Sequence, residues 1–388
     1  MTTHTFKKRV IVGMSGGVDS SVAALLLQRQ GFVVEGLFMK NWEEDDTLEG
    51  HCQAANDVKD AEAVANTLKI PLHTVNFSKS YWENVFEHFL REYQLGRTPN
   101  PDILCNREIK FKLFLNYALN LGADYIATGH YAKKAFAGNY FELHKAEDPS
   151  KDQSYFLYTL TQAALSKTLF PLSDLPKEMV RNLAQAAGFV NASKKDSTGI
   201  CFIGERKFTP FLKRYLKTNP GPMETTEGKR IGQHEGLLFY TIGQRQGLHI
   251  GGQANTNNDP WYVVKKDIDR NTLVVVQGDS HPALFSSKLI ADDVHWISEN
   301  PFAHENAEKS EKSEKSEKEK PILNNIFDGT LHCSAKIRYR QENQDCLVQR
   351  LSDGRLEVSF IHPQRAVTAG QAIVFYNGNQ CLGGGTIQ

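Results

Sequence analysis

Short apolar runs alternate with amphipathic ones through the first half of the chain. Residues 8 to 13 read as a buried strand, and Ser20 to Gln30 as a helix with Val22, Leu25, Leu26 and Leu27 apolar, ended by Gly31. The pattern continues with a strand over Val33 to Met39, a helix over Ala54 to Leu68 and a strand over Leu72 to Asn76. Helices follow over Tyr81 to Leu95 and Lys110 to Leu121, the second stopped by Gly122, and then a strand over Tyr125 to Thr128. Such alternation predicts an α/β domain, a doubly wound, largely parallel sheet of Rossmann-like form, here placed over residues 1–205.

The periodicity then changes. From Thr209 to Leu284 glycine is more frequent and the runs are short (Leu237 to Thr241, Trp261 to Val264, Thr272 to Val276), which predicts a small, mostly β module over 206–284. Further short runs (Cys333 to Arg338, Asp345 to Leu351, Leu356 to Phe360, Ala372 to Tyr376), with turns at Asp353-Gly354 and Asn377-Gly378, predict a β-barrel over 285–388. Within it, residues 304–321 are a Glu/Lys/Ser tract with no apolar face. A tract of that composition does not repay the entropy of ordering, and a mobile loop insertion is expected.

Composition narrows this picture only a little. A chain of 388 residues exceeds what one core usually supports, in keeping with several domains. Lys plus Arg and Asp plus Glu balance at 45 each, an average that can conceal a basic face. No apolar run is long enough for a membrane span and the N-terminal residues lack a signal-peptide pattern, so a cytoplasmic location away from membranes is expected. Six cysteines (Cys52, Cys105, Cys201, Cys333, Cys346, Cys381) show no CxxC pair, which disfavours a zinc knuckle or a compact cluster motif.

The sharpest chemical signal is residues 13–20, GMSGGVDS, between the first strand and the first helix. Glycines and small hydroxyl residues let the backbone approach an anion, and the amides of the following helix start hold phosphate oxygens. No Gly-Lys-Ser/Thr follows, so this is not a Walker loop; a plain turn with Asp19 and Ser20 as cap is the alternative. Cys105 follows Asn100-Pro101-Asp102, read as a stiff loop, with Arg107, Lys110 and the next helix start nearby to favour a thiolate. Cys201 follows Thr198-Gly199, a flexible approach that would let a sulfur swing. Buried, inert thiols remain the alternative for both, and are expected for the other four. Lys151-Asp152-Gln153 reads by default as a solvated turn, Arg338 and Arg340 as water-facing strand positions, and His130 as a satisfied core histidine.

SGGVDS resembles the loop of the pyrophosphatase-loop enzymes, which cleave ATP between its α and β phosphates. PNPDILCNRE at 99–108 and DSTGICFIG at 196–204 resemble the two cysteine motifs of the bacterial tRNA-specific 2-thiouridylases. GHYA at 129–132, KDQSYFL at 151–157, GLHIGG at 247–252, RYRQ at 338–341 and CLGGG at 381–385 match the same family. The charged tract is the clear departure, and it lies away from every motif.

The resemblance implies a fold and a reaction. ATP would lie against Gly13, Met14, Ser15, Gly16, Gly17, Val18, Asp19 and Ser20, with Met39 at the adenine and Gly129 at the nucleotide, and Mg2+ would accompany it with no firm protein ligand, Asp19 being the catalytic candidate for metal or phosphate organisation. The C2 oxygen of the wobble uridine would be adenylated, and Asn100, Pro101 and Asp102 would receive the base. Cys201 would carry a persulfide sulfur from a sulfur-relay protein or cysteine desulfurase, with Cys105 as the nucleophile that leaves a transient Cys105–Cys201 disulfide. The tRNA, through its anticodon stem-loop, would touch His130, Lys151, Asp152, Gln153, Arg338, Tyr339 and Gln371. The competing readings are another pyrophosphatase-loop adenylating synthetase, which needs no pair of reactive thiols, and a non-catalytic tRNA-binding protein.

Overall fold

The computed structural model describes residues 7–43, 53–196, 208–250, 259–303 and 326–388. Cys52, Cys201 and the charged tract lie outside the described residues. The chain forms two compact units: Met1–Glu87, Pro101–Arg206 and Gly378–Leu382 in the first, and His88–Asn100, Lys207–Asn377 and Gly383–Gln388 in the second.

The first unit has strands β1 (Arg9–Gly13), β2 (Val33–Lys40), β3 (Leu72–Asn76), β4 (Tyr125–Ala127), β5 (Ala132–Ala137), β6 (Tyr140–Lys145) and β7 (Thr168–Leu169). Its parallel sheet has the order β3-β2-β1-β4-β7, so the strand order reverses between β1 and β4. Val10, Ile11 and Val12 of β1 are fully buried, as expected of a strand covered on both faces. Helix α1 (Val18–Arg29) buries residues on nearly every side, including Val22, Ala23, Leu25 and Leu27, and packs on helix α2 (Gln53–Leu68) and on helix 177–186. Each such Val or Leu side chain contributes roughly 1.5–3 kcal/mol of burial. β5 and β6 form an antiparallel hairpin that the strand–helix pattern did not predict, and Gln380 and Cys381 pair with β6.

Three boundaries differ from the sequence expectation. Helix α1 starts at Val18 instead of Ser20, so Val18, Asp19 and Ser20 form its first turn. The helix expected over Tyr81 to Leu95 begins at Ser78 and passes through a π-helical turn at Trp82–Phe86 before Glu87–Gln94. The helix expected from Lys110 begins at Pro101: Pro101–Leu104 is α-helical, Cys105–Phe114 π-helical and Leu115–Asn120 α-helical again. The stiff loop read before Cys105 is therefore a helix start, where proline is favoured because its missing N–H is not needed.

The second unit contains β8 (Gly221–Glu224), β9 (Arg230–His234), β10 (Trp261–Asp267) and β11 (Thr272–Gln277) in a sheet of order β10-β11-β8-β9. The strand expected over Leu237 to Thr241 is a short helical turn at Leu237–Phe239. Leu237, Phe239 and Tyr240 are all buried. β12 (Phe285–Trp296), β13 (Ile326–Phe327), β14 (Thr330–Lys336), β15 (Gln344–Arg350), β16 (Leu356–Arg365), β17 (Ala372–Asn377) and β18 (Gln380–Ile387) follow. The order β12-β16-β15-β14-β17-β18, closed by β12 on β18, is a six-stranded antiparallel barrel, with Leu356, Val358 and Phe360 pointing inward. Gly383 is required at that closure, since a Cβ there would lie 2.1 Å from the His295 carbonyl oxygen. Arg338 and Arg340 fall beyond the end of β14, in a turn, and do not alternate on a strand as expected.

Candidate active site

Strands β1 and β4 are neighbours at the point where the sheet reverses, the place where open α/β sheets leave a crevice beyond their carboxyl ends. The loop 13–20 leaves β1 into that crevice. Its side chains bind one another. The Ser15 amide donates to Ser20 Oγ at 3.2 Å, and Ser20 Oγ and Ser21 Oγ donate to the Gly17 carbonyl at 3.1 and 2.9 Å. Gly16 has φ +74°, and a Cβ on it would sit 2.3 Å from the Asp57 carbonyl oxygen, so only glycine fits. Gly17 caps α1 without a side-chain hydrogen bond, which leaves the first-turn amides for an external acceptor.

From the β4 side, Gly129 approaches the same turn: a Cβ there would lie 2.6 Å from the Ser20 amide nitrogen. Gly13 faces Phe114 and the Met39 methyl, at 3.2 and 3.5 Å from its would-be Cβ, which gives this end of the crevice an apolar wall.

The loop is braced from residues far along the chain. Asn191, buried, donates to the Gly16 carbonyl and to Ser21 Oγ, both at 3.0 Å. Lys194 donates to the Gly16 carbonyl at 3.2 Å and pairs with Asp57 at 2.7 Å and Asp60 at 2.5 Å. Burial opposes the Lys194 charge, but the two carboxylates outweigh it and raise its pKa.

Asp19 is the loop's one carboxylate. Lys177 reaches it at 2.6 and 2.8 Å and the Tyr131 hydroxyl donates to it at 3.0 Å. Burial, and then the Asp19 charge, push the Tyr131 pKa up, so that hydroxyl stays a donor. Lys177 is 9% exposed and also pairs with Asp196 at 2.8 Å, while Lys151 and Arg181 hold Asp196 at 2.7 and 2.9 Å. Burial works against the Asp196 carboxylate, yet the surrounding Lys151 and Lys177 bring it to about 2.

Cys105 is fully buried in the first turn of the π-helical segment. Beside it Asn106 donates to the Phe156 carbonyl at 3.0 Å. Of the cations expected to favour its thiolate, Arg107 pairs with Glu108 at 2.9 Å, and Lys110 acts on His130. Pro101 is buried and Asp102 half-buried at the start of the same helical run.

The Lys151-Asp152-Gln153 turn is wired into the protein, contrary to its default reading as solvated. Asp152 is buried and accepts from the Ala146 amide, the Ser154 amide and Ser154 Oγ at 3.1, 3.2 and 2.9 Å. Gln153 exchanges two hydrogen bonds with the Tyr131 backbone, at 3.0 and 2.7 Å. His130 is half-buried, with Nδ1 2.8 Å from Thr128 Oγ1; burial and the nearby Lys110 keep its ring neutral.

In the second unit Arg338 is exposed and donates to the Ala366 carbonyl at 3.0 Å, Tyr339 is half-buried, and Gln371 donates to the Thr98 carbonyl at 2.7 Å. Cys346 and Cys381 are buried thiols. Cys333 lies opposite Cys346 with sulfurs 3.8 Å apart, and that neighbour, with burial, raises its pKa.

Sequence reasoning missed Lys177, Asn191 and Lys194. For Lys177 a signal was present: it is the first residue of helix Lys177–Ala186, where a cation opposes the helix dipole and needs a carboxylate partner. No three-ligand metal cluster occurs among the described residues.

Comparisons with known proteins match the chain to a family. Residues 8–205 match the tRNA methyl transferase HUP domain, 209–277 the tRNA methyl transferase PRC-barrel domain and 286–387 the aminomethyltransferase beta-barrel domain. The chain is similar to the tRNA-specific 2-thiouridylase MnmA of Marinomonas sp. (strain MWYL1), 55% identical over 98% of this chain and 91% of that protein. The MnmA of Legionella pneumophila (strain Lens) is 55% identical over 98% and 99% of the two chains. For that of Pseudomonas paraeruginosa (strain DSM 24068 / PA7) the identity is 56% over 98% and 95%. A 4-thiouridine synthetase–RNA complex with bound ATP (TM-score 0.35, 18% identity, 53% and 49% of the two chains) is too distant to bear on the reaction. The chain belongs to the tRNA-specific 2-thiouridylase family.

Proposed function

We propose that this protein makes 2-thiouridine at the wobble position of tRNA, in two stages. The observation that carries the reading is a glycine turn leading into a helix with no side-chain N-cap at the β1/β4 crevice, in a chain that matches thiouridylases over nearly its full length. In the first stage the uridine C2 oxygen displaces pyrophosphate from ATP and becomes an AMP ester, because an oxygen on uracil is otherwise a poor leaving group. Residues Gly13 to Ser20 receive the departing pyrophosphate, with Lys177 beside them as a cation, and Met39 and Phe114 supply an apolar wall for the adenine.

Magnesium fits this arrangement with one protein ligand, Asp19, and the substrate phosphates, since Mg2+ is commonly held by one or two carboxylates plus phosphate oxygens. Asp19 would hold the ion, which would supply charge neutralisation at the phosphates.

In the second stage Cys201 carries the sulfane sulfur as a persulfide, delivered by a sulfur-relay protein or a cysteine desulfurase. The terminal sulfur attacks C2 and AMP leaves with the former uracil oxygen. Cys105 attacks the Cys201 sulfur, releasing the new thiocarbonyl and leaving a Cys105–Cys201 disulfide for an external dithiol to reduce. Asn100, Pro101 and Asp102 receive the unstacked base, and His130, Lys151, Arg338 and Tyr339 are the proposed tRNA contacts. Asp152 and Gln153 serve that face by shaping the turn that carries Lys151. Nucleoside analysis of tRNA after incubation with ATP, Mg2+ and a persulfide donor tests the reading. Appearance of 2-thiouridine at the wobble position is expected; pyrophosphate release without thiouridine, or neither, would overturn it.

A further inference from the structure

Helix Glu87–Gln94 ends in a Schellman motif: the Gly96 amide donates to the Tyr93 carbonyl and the Arg97 amide to the Glu92 carbonyl, both at 2.9 Å, with Gly96 at φ +75°. The three residues that follow this stop are fastened on two sides. Lys266 on β10 donates to the Gly96 carbonyl at 2.9 Å, and the Ile268 side chain lies against Gly96 so closely that a Cβ would sit 2.6 Å from it. From the barrel, the Ala369 carbonyl accepts the Thr98 amide at 2.9 Å and the Gln371 side chain donates to the Thr98 carbonyl at 2.7 Å. Gly370, at φ +88°, allows that approach, for a Cβ there would lie 2.9 Å from the Thr98 nitrogen. The barrel turn is itself held, since the Gly370 amide donates to the Ile387 carbonyl and the Ile387 amide to the Gln371 carbonyl, both at 2.8 Å.

We propose that Gln371 and Lys266 are positioning residues that clamp residues 96–98, and so fix where Asn100 presents itself to the uridine. This rests on the reading above that Asn100, Pro101 and Asp102 receive the base. Both backbone groups of Thr98 and the carbonyl of Gly96 are spoken for, and Asn100 follows Thr98 by two residues, too short a stretch to absorb a displaced anchor. One of the two Gln371 amide N–H groups is given to the Thr98 carbonyl, which ties the barrel turn to the segment ahead of Asn100. Keeping Lys266 there is costly: burial pushes it down to about 8. A misplacement of about 1 Å at such an anchor is enough to cost on the order of a hundredfold in rate.

Three substitutions separate clamping from RNA contact. Gln371→Glu keeps the shape but loses the donor, Gln371→Lys keeps a donor, and Lys266→Met removes the second fastening. Each is measured for single-turnover thiolation at saturating tRNA, tRNA Kd, melting temperature and deuterium uptake over residues 95–100. Gln371→Glu is expected to lower the saturating rate by about tenfold or more with tRNA Kd within about twofold, and to speed exchange of the Thr98 segment. Gln371→Lys should restore most of the rate, and Lys266→Met should shift rate and exchange in the same direction as Gln371→Glu. A weakened tRNA Kd with an unchanged saturating rate in Gln371→Glu would make Gln371 an RNA contact and overturn the proposal, as would wild-type rate and exchange in that variant. Absence of thiouridine with the unaltered protein would instead sink the functional reading, while the exchange data would still decide whether the segment is clamped.

Discussion

The phosphate loop and the segment around Cys105 both belong to the first unit, and they are built in opposite senses. In the loop, side chains turn inward onto backbone groups and leave amides facing out, so the site exists before its ligand arrives. Around Cys105 the side chain proposed as nucleophile is turned in, fully buried on a π-helical segment. π-Helical turns are strained and often mark functional positions. On the proposed function, the difference teaches that ATP would meet a preformed cradle, whereas the sulfur chemistry would require the Cys105 thiol to be uncovered first.

Breaking the cradle gives the largest expected effect. Gly16→Ala places a methyl group 2.3 Å from the Asp57 carbonyl at a left-handed position, so the loop must move, and pyrophosphate release should fall by on the order of a hundredfold or more. A quench-flow pyrophosphate assay checks it, and tRNA Kd should stay near wild type. Next, Lys177→Met leaves Asp19 and Asp196 without their shared buried cation. A loss of about 3 kcal/mol in denaturant unfolding, with impaired pyrophosphate release, is expected.

Asp152→Asn sharpens the comparison from the RNA side. Its carboxylate accepts three hydrogen bonds, so the amide should cost about 1–3 kcal/mol and weaken tRNA binding only as far as the turn loosens. Unchanged stability with lost tRNA binding would show instead that the carboxylate acts on RNA directly.

A smaller, pH-dependent effect belongs to the neighbouring strands β1, β2 and β3. The Arg9 hydrogen bond, against burial and helped by His73, lowers Glu35 to about 2 from its ordinary 4.5. A depressed carboxyl contributes stability that is complete above its unfolded value and is lost as pH falls through the folded one. Melting temperature should therefore hold steady down to about pH 4.5 and decline toward pH 2, and Glu35→Gln should flatten that decline. Smallest of all, deletion of residues 308–320 should leave melting temperature and thiolation unchanged, because a Glu/Lys/Ser tract offers no apolar face to pack.

What could be read in the sequence follows the range of the interactions. The parallel sheet and the loop 13–20 were legible because strand, glycine turn and helix lie within a few residues of each other. Lys177 and Asn191 were not, since their partners Asp19 and Gly16 are 158 and 175 residues away and pairing across such spans leaves no local pattern. The Lys151-Asp152-Gln153 turn misled for a related reason: charged residues beside a proline look solvated until the buried amides they satisfy are known. The helix start at Pro101 was hidden by reading two prolines as loop, although the second stands where a helix accepts one.

Fate of the uridine oxygen tests the central claim most directly. With tRNA carrying heavy oxygen at C2 of the wobble uridine, together with ATP, Mg2+ and a persulfide donor, the label should appear in AMP in step with the 2-thiouridine formed. Label found in water, or thiouridine formed with unlabelled AMP, would contradict activation by adenylation.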